Sequence, residues 1–169
     1  MPLFLLLSFS SHRSAARADP AEGHGRSYAG FDRNDYPGDD LLPALRRSFS
    51  FTGYWLNPPP GESSNSWTGK RSLLREHGFG FLILFNGRRD ADLTGKDAAS
   101  QGRADAASAI AAARREGFPR GAVLFLDQEE GGRLLPEQNA YLYAWVDRVR
   151  QSEYRPGVYC SGIEAGSGS

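Results

Sequence analysis

One cysteine, Cys160, stands in a chain of 169 residues, so no internal disulfide can form and no thiolate cluster can hold a structural zinc. Histidine is equally scarce. His12 and His24 lie near the N-terminus and His77 falls in the last turn of a predicted helix, where a helix-dipole contact is the expected role. These three assemble neither a Ser-His-Asp triad nor a histidine metal site. Charge of one sign is also missing, since 20 basic and 20 acidic residues cancel. No summed field therefore draws the chain to nucleic acid or anionic lipid. The N-terminal apolar run, Leu3 to Phe9, falls far short of the roughly 20 residues that cross a bilayer, so no stable membrane span is expected. No G-x-G-x-x-G follows the first predicted strand and no G-x-x-x-x-G-K-[ST] occurs, which leaves nucleotide binding without local support.

What is present is ordinary globular composition: 40% hydrophobic, 24% charged and 12% aromatic, enough for one domain. The 20 glycines and 10 prolines punctuate apolar runs rather than forming a tract. Residues 1–18 read as an export signal, because Leu3 to Phe9 precedes Ala16-Arg17-Ala18, an A-x-A cleavage pattern. No Lys or Arg precedes that apolar run, so a disordered or interfacial N-terminus is the competing reading. Removing 1–18 takes away Arg13 and Arg17 and leaves 18 basic against 20 acidic residues, a formal charge of −2. Residues 19–26 then form a polar leader. A secreted, periplasmic or cell-envelope location follows from the signal.

Beyond the leader, apolar runs alternate with helical patterns. Strands are predicted at Ser27 to Asp32, Phe49 to Leu56, Phe79 to Asn86, Ala122 to Asp127 and Gly157 to Cys160. Phe79 to Asn86 is almost unbroken in its hydrophobicity, as a strand covered on both faces requires. Helices are predicted at Asp39 to Arg47, Trp67 to His77, alanine-rich Asp97 to Glu116 and Pro136 to Gln151, with Gly78 and Gly117 as stops. A long loop joins Asn86 to Asp97. Five strands separated by helices imply right-handed βαβ units in a parallel α/β sheet, arranged either as an open doubly wound sheet or as a (β/α)8 TIM barrel.

The polar residues favour the barrel. Strand after strand ends in a group suited to sugar chemistry: Asp32, Trp55 with Asn57, Asn86, Asp127 with Glu129, and Tyr159. In extended backbone, positions i and i+2 share a face, so Asp127 and Glu129 would both enter one cleft while Gln128 points away. Two like charges at that range drive one pKa up, which keeps one carboxyl protonated as a general acid and the other ionised. Glycosidic cleavage needs that division. The plain alternative is a solvated acidic loop over Gln128 to Gly132. Trp55, Tyr54 and Tyr159 are either sugar-stacking platforms or barrel-mouth core. Cys160 has no basic partner or helix start nearby to activate it, and a buried structural thiol is the expectation.

The chain also resembles a known family. Tyr28-Ala29-Gly30-Phe31-Asp32, Gly53-Tyr54-Trp55-Leu56, Phe81 to Asn86, Gly117-Phe118-Pro119 ahead of Leu124 to Glu129, and Arg155 to Gly162 look like the glycoside-hydrolase-like domain of unknown function. That secreted bacterial family is similar to glycoside hydrolase family 25 lysozymes. The resemblance covers residues 27–162 and implies a TIM barrel with Asp32, Asp127 and Glu129 as the catalytic centre. Trp55, Asn57, Asn86 and Tyr159, at the strand ends, are the expected substrate-binding residues, a cell-wall glycan such as peptidoglycan is the expected partner, and no metal or cofactor is expected.

The expected domain is an incomplete barrel of about five parallel βα units, residues 27–162, followed by an unstructured tail at 163–169. Units of ~32 residues would need ~96 more for three further repeats. Full length, the protein is expected to be a monomer. Three readings stand together: a glycosidase of lysozyme or muramidase type, a non-catalytic glycan-binding domain on the same fold, and a metal-dependent phosphodiesterase using Asp32, Asp35, Asp127, Glu129 and Glu130. The last lacks converging basic groups for a phosphate.

Overall fold

A computed structural model describes residues 27–128 and 133–160. Five strands form one parallel sheet: β1 (Gly30–Phe31), β2 (Phe51–Trp55), β3 (Gly80–Asn86), β4 (Val123–Gln128) and β5 (Arg155–Cys160). Their spatial order is their sequence order, β1-β2-β3-β4-β5. A doubly wound sheet reverses direction at a switch point, and these five strands contain none. Right-handed crossovers that always step the same way put the connecting helices on one face of the sheet.

Those helices are α1 (Leu42–Arg46), preceded by a 3-10 turn at Asp39–Leu41, then α2 (Arg71–Glu76), α3 (Asp90–Leu93), α4 (Ala98–Arg115) and α5 (Pro136–Arg150). Strand alternation assigns Thr52, Tyr54, Ile83, Leu124 and Leu126 to the helix side, where all are buried. Fully burying a leucine such as Leu124 or Leu126 contributes about 1.5–3 kcal/mol. Tyr54 meets Trp67, Phe81 and Phe118 edge to face, with ring centroids 5.3–6.1 Å apart. The alanines of α4 let it lie close to its neighbours, with Ala106, Ala109 and Ala113 fully buried. Gly102 faces the Tyr141 carbonyl of α5 so closely that a Cβ there would collide with it.

The helix ends follow their side chains. Asp97 caps α4 by accepting the Ser100 N–H at 2.9 Å. Gly78 and Gly117 follow α2 and α4 with φ of +84° and +74°, the left-handed C′ conformation that favours glycine. Pro136 opens α5.

Several elements differ from the sequence reading. The helix expected from Trp67 begins at Arg71, because Asn65 Oδ1 accepts the Trp67 N–H at 3.0 Å and the Lys70 N–H bonds Trp67 O at 3.0 Å, forming a turn first. The helix expected over Asp39 to Arg47 splits, since Pro43 belongs in a first turn and restarts the helix at Leu42. The loop expected between Asn86 and Asp97 holds the one-turn helix α3. Cys160 is exposed, not buried. It alternates onto the same side of β5 as Val158, which is 43% exposed, and the described residues leave that strip uncovered.

Candidate functional site

The pairing register aligns three of the anticipated residues. Asn86 pairs with Asp127 and Asp127 with Tyr159, so one rung at the C-terminal ends of β3, β4 and β5 carries all three on the face away from the helices. Asp32 follows β1 on that same face, and its carboxylate lies against Gly53. Gly53 pairs with Leu82, four residues before Asn86, so in register Asp32 stands below the Asn86 rung.

A cavity of about 290 Å³ opens at this end of the sheet, lined by Gly61, Asn86, Arg88, Arg89, Asp127 and Gln128 among others. Asp127 is 3% exposed. Its carbonyl accepts the Gly87 N–H at 3.0 Å, and a Cβ on Gly87 would stand 2.6 Å from that oxygen, so only glycine lets the chain leave β3 there. Gly87 was not anticipated. A glycine directly after an apolar run was its signal.

The asparagines are committed to the backbone. Asn57 Oδ1 accepts the Asn86 N–H at 2.8 Å while Asn57 Nδ2 donates to the Asn86 carbonyl at 3.0 Å. Asn86 Nδ2 in turn donates to the Pro58 carbonyl at 2.9 Å. The proline run leaves its carbonyls free for such bonds because the rings interrupt strand pairing. Trp55 is 2% exposed and donates its indole N–H to Arg33 O at 3.1 Å. Tyr54 lies on the helix side, fully buried, with its hydroxyl on Glu116 at 2.5 Å, so it cannot stack on a sugar at the strand ends. Burial first, then Glu116, raises its pKa. Tyr159 is half-buried. Glu129 and Glu130 lie outside the described residues, as do the expected signal, leader and tail.

A second unanticipated group sits beside the rung. Arg88 binds Asp105 of α4 through two parallel bonds, Nε to Oδ2 at 2.7 Å and Nη2 to Oδ1 at 2.9 Å. The buried Tyr141 of α5 donates its hydroxyl to Asp105 Oδ2 at 2.8 Å. The hydrogen bond to Asp105 raises the Arg88 pKa against the opposing effect of burial. Burial, then the Asp105 charge, raises that of Tyr141. Among the described residues no group of three or more His, Cys, Asp or Glu side chains is placed to hold a metal ion. No described helix is long and apolar enough to cross a membrane.

The family described as Rv2525c-like, glycoside hydrolase-like domain matches residues 57–164, more than half of the chain. The chain belongs to this family. Among solved structures, this Rv2525c-like domain is similar to an uncharacterized B. stearothermophilus protein at 27% identity and a TM-score of 0.60, over 78% of this chain and 59% of that one. It is also similar to the Mycobacterium tuberculosis Tat-secreted protein Rv2525c, at 16% identity and a TM-score of 0.57, over 76% of this chain and 66% of that one. The modular autolysin LytC from Streptococcus pneumoniae shares the fold at 10% identity and a TM-score of 0.53, over 83% of this chain and 37% of that one. The Rv2525c-like domain thus spans less than two thirds of the first of these relatives. No curated protein matches it.

Proposed function

We propose that the chain contributes the first five units of a (β/α)8-type barrel that acts on a cell-wall type glycan at its C-terminal mouth. The observation that carries this reading is Asp127, buried at a strand's C-terminal end in one rung with Asn86 and Tyr159 and opening to the 290 Å³ cavity. Barrel enzymes place their chemistry at that end. Sequential strand order and the likeness to LytC, an autolysin, support the same reading.

In the catalytic form, Glu129 is the general acid that protonates the glycosidic oxygen. Asp127 stays ionised and, with Asp32 behind it, stabilises the oxocarbenium-like transition state or orients the attacking group. Tyr159 offers a ring to the sugar. Asn57, Asn86 and Trp55 serve substrate binding by holding the mouth's backbone in shape. Residues 1–18 act as the export signal, in line with the Tat secretion of Rv2525c, and place the protein outside the cytoplasm as a monomer.

A second reading is a glycan-binding domain without catalysis. Asp127 and Asp92 are the carboxylates that line the cavity among the described residues, and Asp32 does not line it, whereas glycosidic cleavage uses two carboxyls in one site. Zymography on peptidoglycan with wild-type, Glu129→Gln and Asp127→Asn protein separates the two. Loss of clearing in both variants with glycan binding retained supports cleavage. Wild-type clearing in both removes the carboxylate pair from the mechanism, and binding without clearing in all three leaves the binding domain.

A further inference from the structure

Arg88 lines the same cavity as Asp127, yet it plays no part in the acid/base scheme. An unanchored surface arginine samples many rotamers, and fixing one costs affinity. Arg88 is already fixed. Asp105 takes its Nε and Nη2 at 2.7 and 2.9 Å, and Tyr141, fully buried between α4 and α5, fixes Asp105 in turn. The guanidinium carries five N–H donors, so this pairing occupies two and leaves three on a fork whose plane is set.

Its chain neighbour adds to the same wall. Arg89 also lines the cavity, its side chain is 75% exposed, and its ion-pair contact with Asp92 is a loose 3.6 Å. Asp105, the tight partner of Arg88, is not a lining residue, so the anchoring carboxylate stands behind the guanidinium rather than in the ligand's path.

We propose that this wall is an oxyanion subsite, in which Arg88 is the specificity-determining residue for a carboxylate or phosphate substituent carried by the glycan, and Arg89 adds a second positive charge beside it. The proposal rests on the glycan reading and adds the substituent's charge to it. A planar anion matches the arginine fork with two parallel bonds, which a neutral hydroxyl cannot do.

The test measures binding of three probes to the purified protein by calorimetry: neutral chitotetraose, chitotetraose phosphorylated on one 6-hydroxyl, and hyaluronan tetrasaccharide, which carries carboxylates. Wild type is expected to bind one of the charged probes at least ~10-fold more tightly than the neutral one, and which of them wins identifies the substituent. Arg88→Gln is expected to abolish that preference while leaving the neutral probe within ~2-fold. Asp105→Asn, which removes the anchoring carboxylate and frees the fork while the Arg88 guanidinium keeps its charge, is expected to reduce it. Arg88→Lys decides the matter if Arg88→Gln fails to fold, since a point charge without the fork is expected to lose ~3-fold or more of the preference. Equal wild-type affinity for neutral and charged probes overturns the subsite and leaves the glycan reading standing. So does a preference that survives the Arg88 variants. Failure of all three probes to bind removes both.

Discussion

The Asp32 carboxylate lies directly over Gly53 of β2, in the space a side chain at position 53 would fill. A Cβ there would collide with Asp32 Oδ1 and also come within 3.2 Å of Leu84 Cδ1. The absence of a side chain on one strand is therefore what lets the acid of the neighbouring strand lie against the sheet.

Gly53→Ala is expected to destabilise the fold by about 1–3 kcal/mol through this overpacking, despite the lower chain entropy alanine brings to the unfolded state. In an Asp32→Ser background the cost should shrink by about 0.5 kcal/mol or more, because the two sites couple through contact. Urea unfolding of the four proteins of the cycle measures it. Equal costs in both backgrounds would sink the idea.

Asn57→Ala removes both amide bonds to the Asn86 backbone, made at 2.8 and 3.0 Å. The expected loss is about 1–3 kcal/mol of stability, since a half-buried N–H and carbonyl lose their partners. Thermal denaturation reads the loss. If Asn57 instead acts only by touching glycan, stability stays at the wild-type value and affinity alone falls.

Arg114 grips Glu153 at 2.5 and 2.6 Å, tying the end of α4 to the turn before β5. The hydrogen bond from Arg114 lowers the Glu153 pKa from 4.5 to about 2. A carboxylate with a lowered folded-state pKa contributes stability that is present above its unfolded value and lost as pH falls through its folded value. Melting temperature is therefore expected to fall between about pH 4.5 and pH 2 by a larger amount in wild type than in Glu153→Gln. Parallel curves for the two proteins would show that the pair does not contribute.

Most of the strand and helix order was legible in the chain because each element carries its own period and its own stop. Phe79 to Asn86 reads as a buried strand from hydrophobicity alone, and β3 occupies Gly80–Asn86. Asp97 and Gly117 bracket α4 through local capping chemistry, which acts over a few residues and so leaves a local mark. The aspartate at the end of the fourth strand was visible for the same reason.

What the residues do at the mouth was decided by distance in the chain. Asn57 reads as a sugar ligand until the register of β2 on β3 delivers its amide to a backbone 29 residues away. Arg88 in the loop after β3, Asp105 on α4 and Tyr141 on α5 are separated by 17 and 36 residues, and no periodicity links them. Cys160 has the composition of a buried thiol, but burial depends on what packs over β5, which its own segment does not encode. Local free energies selected the elements, whereas partner choice among polar side chains was set by strand pairing and by the close approach of α4 to α5 at Gly102, which exist only once the chain has folded.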